Sequence, residues 1–208
     1  FIYSEGSYIY LYKLAPNPSS DNTVVEKYTL TSSLTYISGV TIINNSTYGL
    51  ANFSPIDVAV FKGDTYVLDG LTNTVMFPQS SSSYSIKVPD TAVSFRVFND
   101  IYFNHSGVIL MVAGLQGIYF FDITNPKAPI NLGTQSLDTV YQNGVRVLLG
   151  ASQDFFNAIY CNSSQAVTYT ILRKQRSYFL YRTTPQSKQI ADGFFESGSN
   201  YLLLRTSE

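Results

Sequence analysis

The sequence predicts an all-β fold made of small antiparallel sheets. Three observations predict it. The 208 residues include 17 Tyr and 14 Phe, and aromatic side chains favour the pleated, half-buried surface of a strand. Short apolar runs alternate with Gly, Asn and Pro, which is how strands joined by tight turns read. No window shows the 3.6-residue periodicity of a helix. The stretch 98–133 (FNDIYFNHSGVILMVAGLQGIYFFDITNPKAPINLG) shows the pattern most clearly, with apolar runs at 100–103, 108–113, 117–123 and 130–132. Four strands in about 36 residues make an antiparallel meander the size of one β-propeller blade.

The other elements follow in chain order. Residues 1–38 read as strand 1–3, turn 4–7, strand 8–14, loop 15–22 and strand 23–30. Aligned on 98–133, the first two of these strands fall on the second and third strands of a blade. The chain is therefore read as starting inside one. A short strand at 40–43 precedes a repeat of the four-strand rhythm at 57–61, 65–68, 74–77 and 85–88. The turns of that repeat lie at 62–64, 69–73 and 78–83, and the serine run 80–83 reads as an outer loop. Residues 95–138 are the blade already described. Asn143-Gly144 is a strong turn signal, followed by strands at 145–149, 155–161, 166–172 and 178–181. Segments 193–196 and 201–205 read as the first two strands of one more blade.

No composition shift marks a boundary, so residues 1–208 read as a single domain with a repeat of about 45–50 residues, the propeller range. The count is three full blades plus partial blades at both ends. Two ways of finishing the ends stay open. The C-terminal strands could join the N-terminal sheet, or the ends pair with a neighbouring chain or with absent residues. An open edge rich in Tyr, Leu and Phe needs covering in either case. The chain begins in strand, with no initiator Met or secretory leader, which reads as a processed end or a start within a longer chain.

Residues 117–130 (GIYFFDITNPKAPI) carry a resemblance. They are similar to the G-hydrophobic-x-hydrophobic-hydrophobic-D-hydrophobic-S/T-N-P-x-x-P signature of LVIVP-type propeller repeats. The match covers one blade. That family is found in surface and secreted proteins, and the resemblance implies a binding or structural module. The residues support a turn on their own terms. Asp122 can accept hydrogen bonds from the chain that follows it, and Asn125-Pro126 turns the chain out of the strand, because proline fixes φ and restricts its predecessor.

Composition narrows the function. Charged residues are 13%, about half the usual share, and Ser, Thr and Asn fill the polar positions. A net charge of −1 supplies no field for nucleic acid or an anionic membrane. No apolar run reaches the 18 or so residues of a membrane helix. Cys161 is the only cysteine. It reads as a small buried hydrophobe, with pairing to another chain or to a segment beyond this sequence as the alternative. His105 is the only histidine and reads as a solvated turn residue, so a Ser-His-Asp site has one imidazole to draw on. There is no Gly-x-Ser-x-Gly elbow, and no HExxH, CxxC or EF-hand loop. Asp64, Asp69 and Asp138 fall in turns, where Asp caps its own backbone. A calcium site from loop carboxylates is the sharper alternative. No catalytic residue, cofactor or metal is expected, and the chain reads as a non-enzyme.

Two groups of residues carry functional expectations. Asn-x-Ser/Thr occurs at Asn44, Asn45, Asn52, Asn104 and Asn162. These are N-glycosylation candidates, placed mostly in expected turns where a glycan projects into solvent. Covalent sugar would also offset the low charge as a source of solubility. Pro55 after Asn52-Phe53-Ser54 weakens that acceptor. Arg173, Lys174 and Arg176 form a basic cluster, with Arg182 and Lys188 nearby, expected in a turn after a strand. It is a solvated hairpin tip or a docking site for an acidic partner. The resulting expectation is a secreted or cell-surface glycoprotein of structural, adhesive or protein-interaction role. Its subunits would associate end to end through open blade edges into a polymer or filament. A carbohydrate-binding, lectin-like propeller using Tyr48, Phe53 and Tyr84 is the alternative, and an enzyme with clustered axial carboxylates stands third.

Overall fold

In the computed structural model the described residues are 2–5, 8–14, 23–31, 36–44, 54–79, 82–100, 107–151, 155–162, 166–174, 177–186, 190–195 and 202–206. Every regular element among them is a strand. The chain divides into two compact units, Phe1–Pro89 and Asp90–Glu208.

The first unit holds two sheets. One runs β1 (Ile2–Glu5), β2 (Tyr8–Leu14), β3 (Thr23–Thr31), β4 (Tyr36–Asn44), and the next β5 (Pro55–Phe61), β6 (Asp64–Asp69), β7 (Thr74–Gln79), β8 (Ser82–Lys87). Each is a sequential antiparallel meander. The N-terminal segment, read above as a partial blade, is thus a four-stranded sheet. Its fourth strand is longer than the expected 40–43, because Gly39 does not break it; Gly39 sits inside β4 opposite Tyr28. The serine run is also corrected. Ser82 and Ser83 belong to β8 and pair with Gln79 and Pro78. Pro78 is tolerated because β7 pairs with β6 only through Thr74, Val75 and Met76. Beyond Met76 the ladder toward β6 has ended, so no amide donor is needed there.

The tight turn between β5 and β6 is Lys62-Gly63, both with positive φ (51° and 83°). That is the backbone a two-residue hairpin demands. Inside this sheet Val58, Val67, Leu68, Val75 and Phe77 are buried, and the Tyr66 and Phe77 rings meet edge to face at 5.3 Å.

The second unit holds β9 (Ala92–Asp100), β10 (Gly107–Gly114), β11 (Gly117–Asp122), β12 (Ile130–Ser136) as one meander, β13 (Arg146–Ala151), β14 (Phe155–Cys161), β15 (Ala166–Lys174), β16 (Ser177–Gln186) as another, and the pair β17 (Ile190–Phe195), β18 (Leu202–Thr206). The first strand of the blade read at 95–138 lies upstream of the expected 100–103. Ser94 and Arg96 disguise it by interrupting the apolar run. Ser94 is buried, and Arg96 folds its guanidinium back onto the Phe95 carbonyl. Residues 101–106, His105 among them, lie outside the described residues.

Strands β10 and β11 are buried along nearly their whole length, whereas β12 is mostly exposed. Continuous apolar runs are what strands covered on both faces require. Successive sheets of this unit stack as a fan. First strand lies against first strand, β9 on β13 and β13 on β17, and fourth on fourth, β12 on β16. The core between the third and fourth sheets is Ile109, Met111, Ile118 and Phe120 against Val147, Leu149, Phe156 and Ile171. Phe156 packs on Phe98 and Phe120 at 5.4 and 5.2 Å. Consecutive four-stranded meanders, stacked first strand to first strand, are the blades of an all-β, propeller-class fold.

Candidate functional site

The densest polar arrangement among the described side chains lies in the second unit, at the turn between β10 and β11. Asp90 stands two residues before β9. Its Oδ1 accepts the Thr91 amide at 2.7 Å, and its Oδ2 accepts the amides of Gln116 and Gly117 at 2.8 and 3.2 Å. A side-chain hydrogen bond from Tyr119 completes the set. Two glycines make the room. A Cβ on Gly114 would collide with the Asp90 carboxylate, and one on Gly117 would come within 3.2 Å of the Tyr119 ring.

A lattice of three phenols adjoins this turn. Tyr160 donates to the Gly114 carbonyl at 2.8 Å. Tyr169 donates to Asp138 Oδ1 at 2.7 Å. A phenol carries one proton, so the 3.0 Å contact between the Tyr141 and Tyr169 oxygens has Tyr141 as donor. The proton order is Tyr141 to Tyr169 to Asp138. The rings lock together as well. Tyr141 stacks on Tyr160 at 4.4 Å, and Tyr160 meets Tyr169 edge to face at 5.5 Å. The connection 137–145 is laced onto the same turn, Leu137 N to Gln116 O and Tyr141 N to Leu115 O, both 2.9 Å.

Burial drives the electrostatics here. Desolvation, then the charge and hydrogen bond of Asp90, push Tyr119 up to about 12. Burial raises Tyr160 well above the usual phenol value. It raises Tyr169 as well, reinforced by the hydrogen bond Tyr169 donates to Asp138. Tyr141 is raised by burial. An ionised phenol loses hydration on burial, so these groups stay protonated at neutral pH. They act as hydrogen-bond donors that hold one end of the unit rigid.

The first unit has its own carboxylate at the matching turn. Asp69, the last residue of β6, is fully buried. Its Oδ1 accepts the amides of Ser54 and Leu71 at 2.9 and 3.3 Å, and its Oδ2 accepts the amide and hydroxyl of Thr72. The self-capping expected of Asp69 holds. Asp138 serves a tyrosine instead.

The residues singled out in the sequence fall in different places. Asn162 is exposed and follows β14 directly. Asn44 is the last residue of β4, with its side chain outside the description. Asn45, Asn52, Asn104, Arg176, Tyr48 and Phe53 lie outside the described residues. Arg173 and Lys174 are not in a turn. They end β15, opposite Tyr178 and Ser177, because the strand runs past the apolar stretch. Tyr84 is not a loop residue either. It lies in β8 opposite Phe77, half-buried. Cys161 is buried, with its thiol raised by that burial. Asp122 accepts the Thr124 amide at 2.9 Å and the Thr124 hydroxyl, and the Ala128 amide reaches the Asn125 carbonyl at 3.0 Å. That is the turn expected of Asn125-Pro126. Among the described residues no group of three or more His, Cys, Asp or Glu could hold a metal ion. No helix among them is long and apolar enough to cross a membrane.

Sequence reading missed Asp90 and the phenols of Tyr119, Tyr141, Tyr160 and Tyr169. The one local signal was Asp90 just ahead of a strand, with glycines at 114 and 117.

No family model matches the sequence, and no curated protein matches it. Among solved structures, the Dos1 propeller aligns at 10% identity and a TM-score of 0.49, over 90% of this chain and 46% of that one. The Nup133 β-propeller domain of Vanderwaltozyma polyspora aligns at 9% identity and a TM-score of 0.48, over 96% of this chain and 69% of that one. The chain thus spans less than half the length of the Dos1 propeller.

Proposed function

We propose that this chain is a non-enzymatic interaction module of a secreted or cell-surface glycoprotein, with a structural or adhesive role. Its LVIVP-like segment 117–130 fits that reading. One observation carries it. Among the described residues, the last strand of each sheet, β4, β8, β12, β16 and β18, pairs on one side only, and a strand paired on one side is a template for another chain. These edges differ. Register shifts interrupt the pairing of β4, β12 and β16 with their inner neighbours, whereas β8 pairs with β7 without a break. Bulges blunt an edge, so among these last strands β8 is the one best shaped to add a neighbouring subunit.

The fourth sheet also separates two chemistries. Asn162 lies at one end of β14 and β15, and Arg173 and Lys174 lie at the other. Nine residues of β15 separate the ends, about 30 Å at strand rise. One end with a sequon and the other with two basic residues suit a surface protein.

Light scattering behind size-exclusion chromatography tests the assembly. Multimers are expected, and Ser85→Lys, which puts a charge on an exposed β8 position, is expected to shift them toward monomer. A clean monomer at high concentration would overturn the reading.

A further inference from the structure

We infer that Asn162 carries an N-linked glycan, an inference that rests on the surface-glycoprotein reading. The ladder between β14 and β15 closes at the pair Cys161–Ala166. Both residues of that pair are buried, at 4% and 0% exposure. Asn162 is the next residue and is exposed. The fold therefore changes from packed core to solvent between residues 161 and 162. A substituent on Asn162 starts outside the core. The sequon Asn162-Ser163-Ser164 has no proline inside it, and Gln165 follows. Asn52, in contrast, has Pro55 just beyond its sequon.

The position also has a use for sugar. By strand direction, Asn162 lies at the same end of the second unit as the connection 137–145. Val140 in that connection is 68% exposed, more than any other large hydrophobic residue among the described residues. A hydrated oligosaccharide beside it screens apolar surface on a chain poor in charge.

The donor is a lipid-diphosphate-linked oligosaccharide. Nδ2 of Asn162 forms a bond to the anomeric carbon and gives up one proton. The anomeric carbon–oxygen bond breaks, and the lipid diphosphate leaves with its electron pair.

The full chain, produced in a eukaryotic secretory host and recovered from cells and medium together, is treated with peptide N-glycosidase in 18O-water and mapped by mass spectrometry. Conversion of Asn162 to 18O-labelled Asp is expected, together with its loss in Ser164→Ala, which keeps the asparagine. Label at other sequons with an unmarked Asn162 would overturn this site and leave the glycoprotein reading standing. No label at any asparagine would overturn both, while the subunit assembly is judged separately by light scattering.

Discussion

The second and third sheets close the same turn with the same backbone donors and draw the carboxylate from different points of the chain. In the second sheet it is Asp69, the last residue of β6. In the third, Gly114 holds that place, and the carboxylate is Asp90, which precedes β9. The donors correspond one to one. The residue before the first strand gives an amide in each case, Ser54 or Thr91. The second and third residues after the last strand position give the others, Leu71 and Thr72 or Gln116 and Gly117. The meander leaves these amides without ladder partners, and buried amides need acceptors. The fold fixes where negative charge is needed. It does not fix which residue supplies it, and because a side chain at Gly114 would strike Asp90, the two solutions exclude each other.

The largest effect is expected from Gly114→Asp. It places two carboxylates in one socket, adding like-charge repulsion to a steric clash. We expect a loss of about 3 kcal/mol or more in urea unfolding, at the upper end for overpacking. Combining it with Asp90→Ala moves the carboxylate to the position it holds in the second sheet. The double variant is expected to recover at least about 1 kcal/mol over Gly114→Asp, within the range of couplings between touching residues. Strict additivity would break the correspondence between the two sockets.

Next come the single truncations. Asp90→Ala strands the buried Gly117 amide and leaves the Tyr119 hydroxyl without its acceptor, a cost of about 2–3 kcal/mol for lost bonds to a charged group. Asp69→Ala strands the amides of Ser54, Leu71 and Thr72, the last two on exposed residues, where water can replace the acceptor. About 1–2 kcal/mol is expected. Amide exchange is expected to accelerate at Gln116 and Gly117 in the first variant only, and at Leu71 and Thr72 in the second only.

The strand rhythm was legible because it rests on local chemistry. The strands of the second sheet fall where apolar runs and turn residues put them. The first strand of the third sheet was not legible, since Ser94 and Arg96 look like loop residues until their partners are known. Asn143-Gly144 is a turn ahead of the fourth sheet, as its sequence predicts. Gly144 has a φ of 92°, but Asn143 has no positive φ, so the pair closes a turn within a connection between sheets. The hairpin with two positive φ values falls instead on Lys62-Gly63. The candidate site was hidden for a different reason. Asp90 meets the Gln116 amide from 26 residues away, and Tyr160 meets the Gly114 carbonyl from 46 residues away. No short window holds both partners.

The fourth donor to each carboxylate gives the finest comparison, a buried phenol from Tyr119 against the hydroxyl of the exposed Thr72. Tyr119→Phe is expected to cost about 1 kcal/mol, and Thr72→Val, where water substitutes, about 0.5 kcal/mol or less. Alkali separates them further. Tyr119 holds its proton up to about 12, above the usual 10, so the folded state binds more protons than the unfolded state between those values. That stability is fully present below pH 10 and is lost as pH rises through 12. Tyr119→Phe should therefore flatten the fall in stability over that window, leaving the part due to the other raised tyrosines. Thr72→Val should leave its slope unchanged, since a threonine hydroxyl does not titrate there. Equal slopes in the two variants would show that the Asp90 socket does not depend on its phenol.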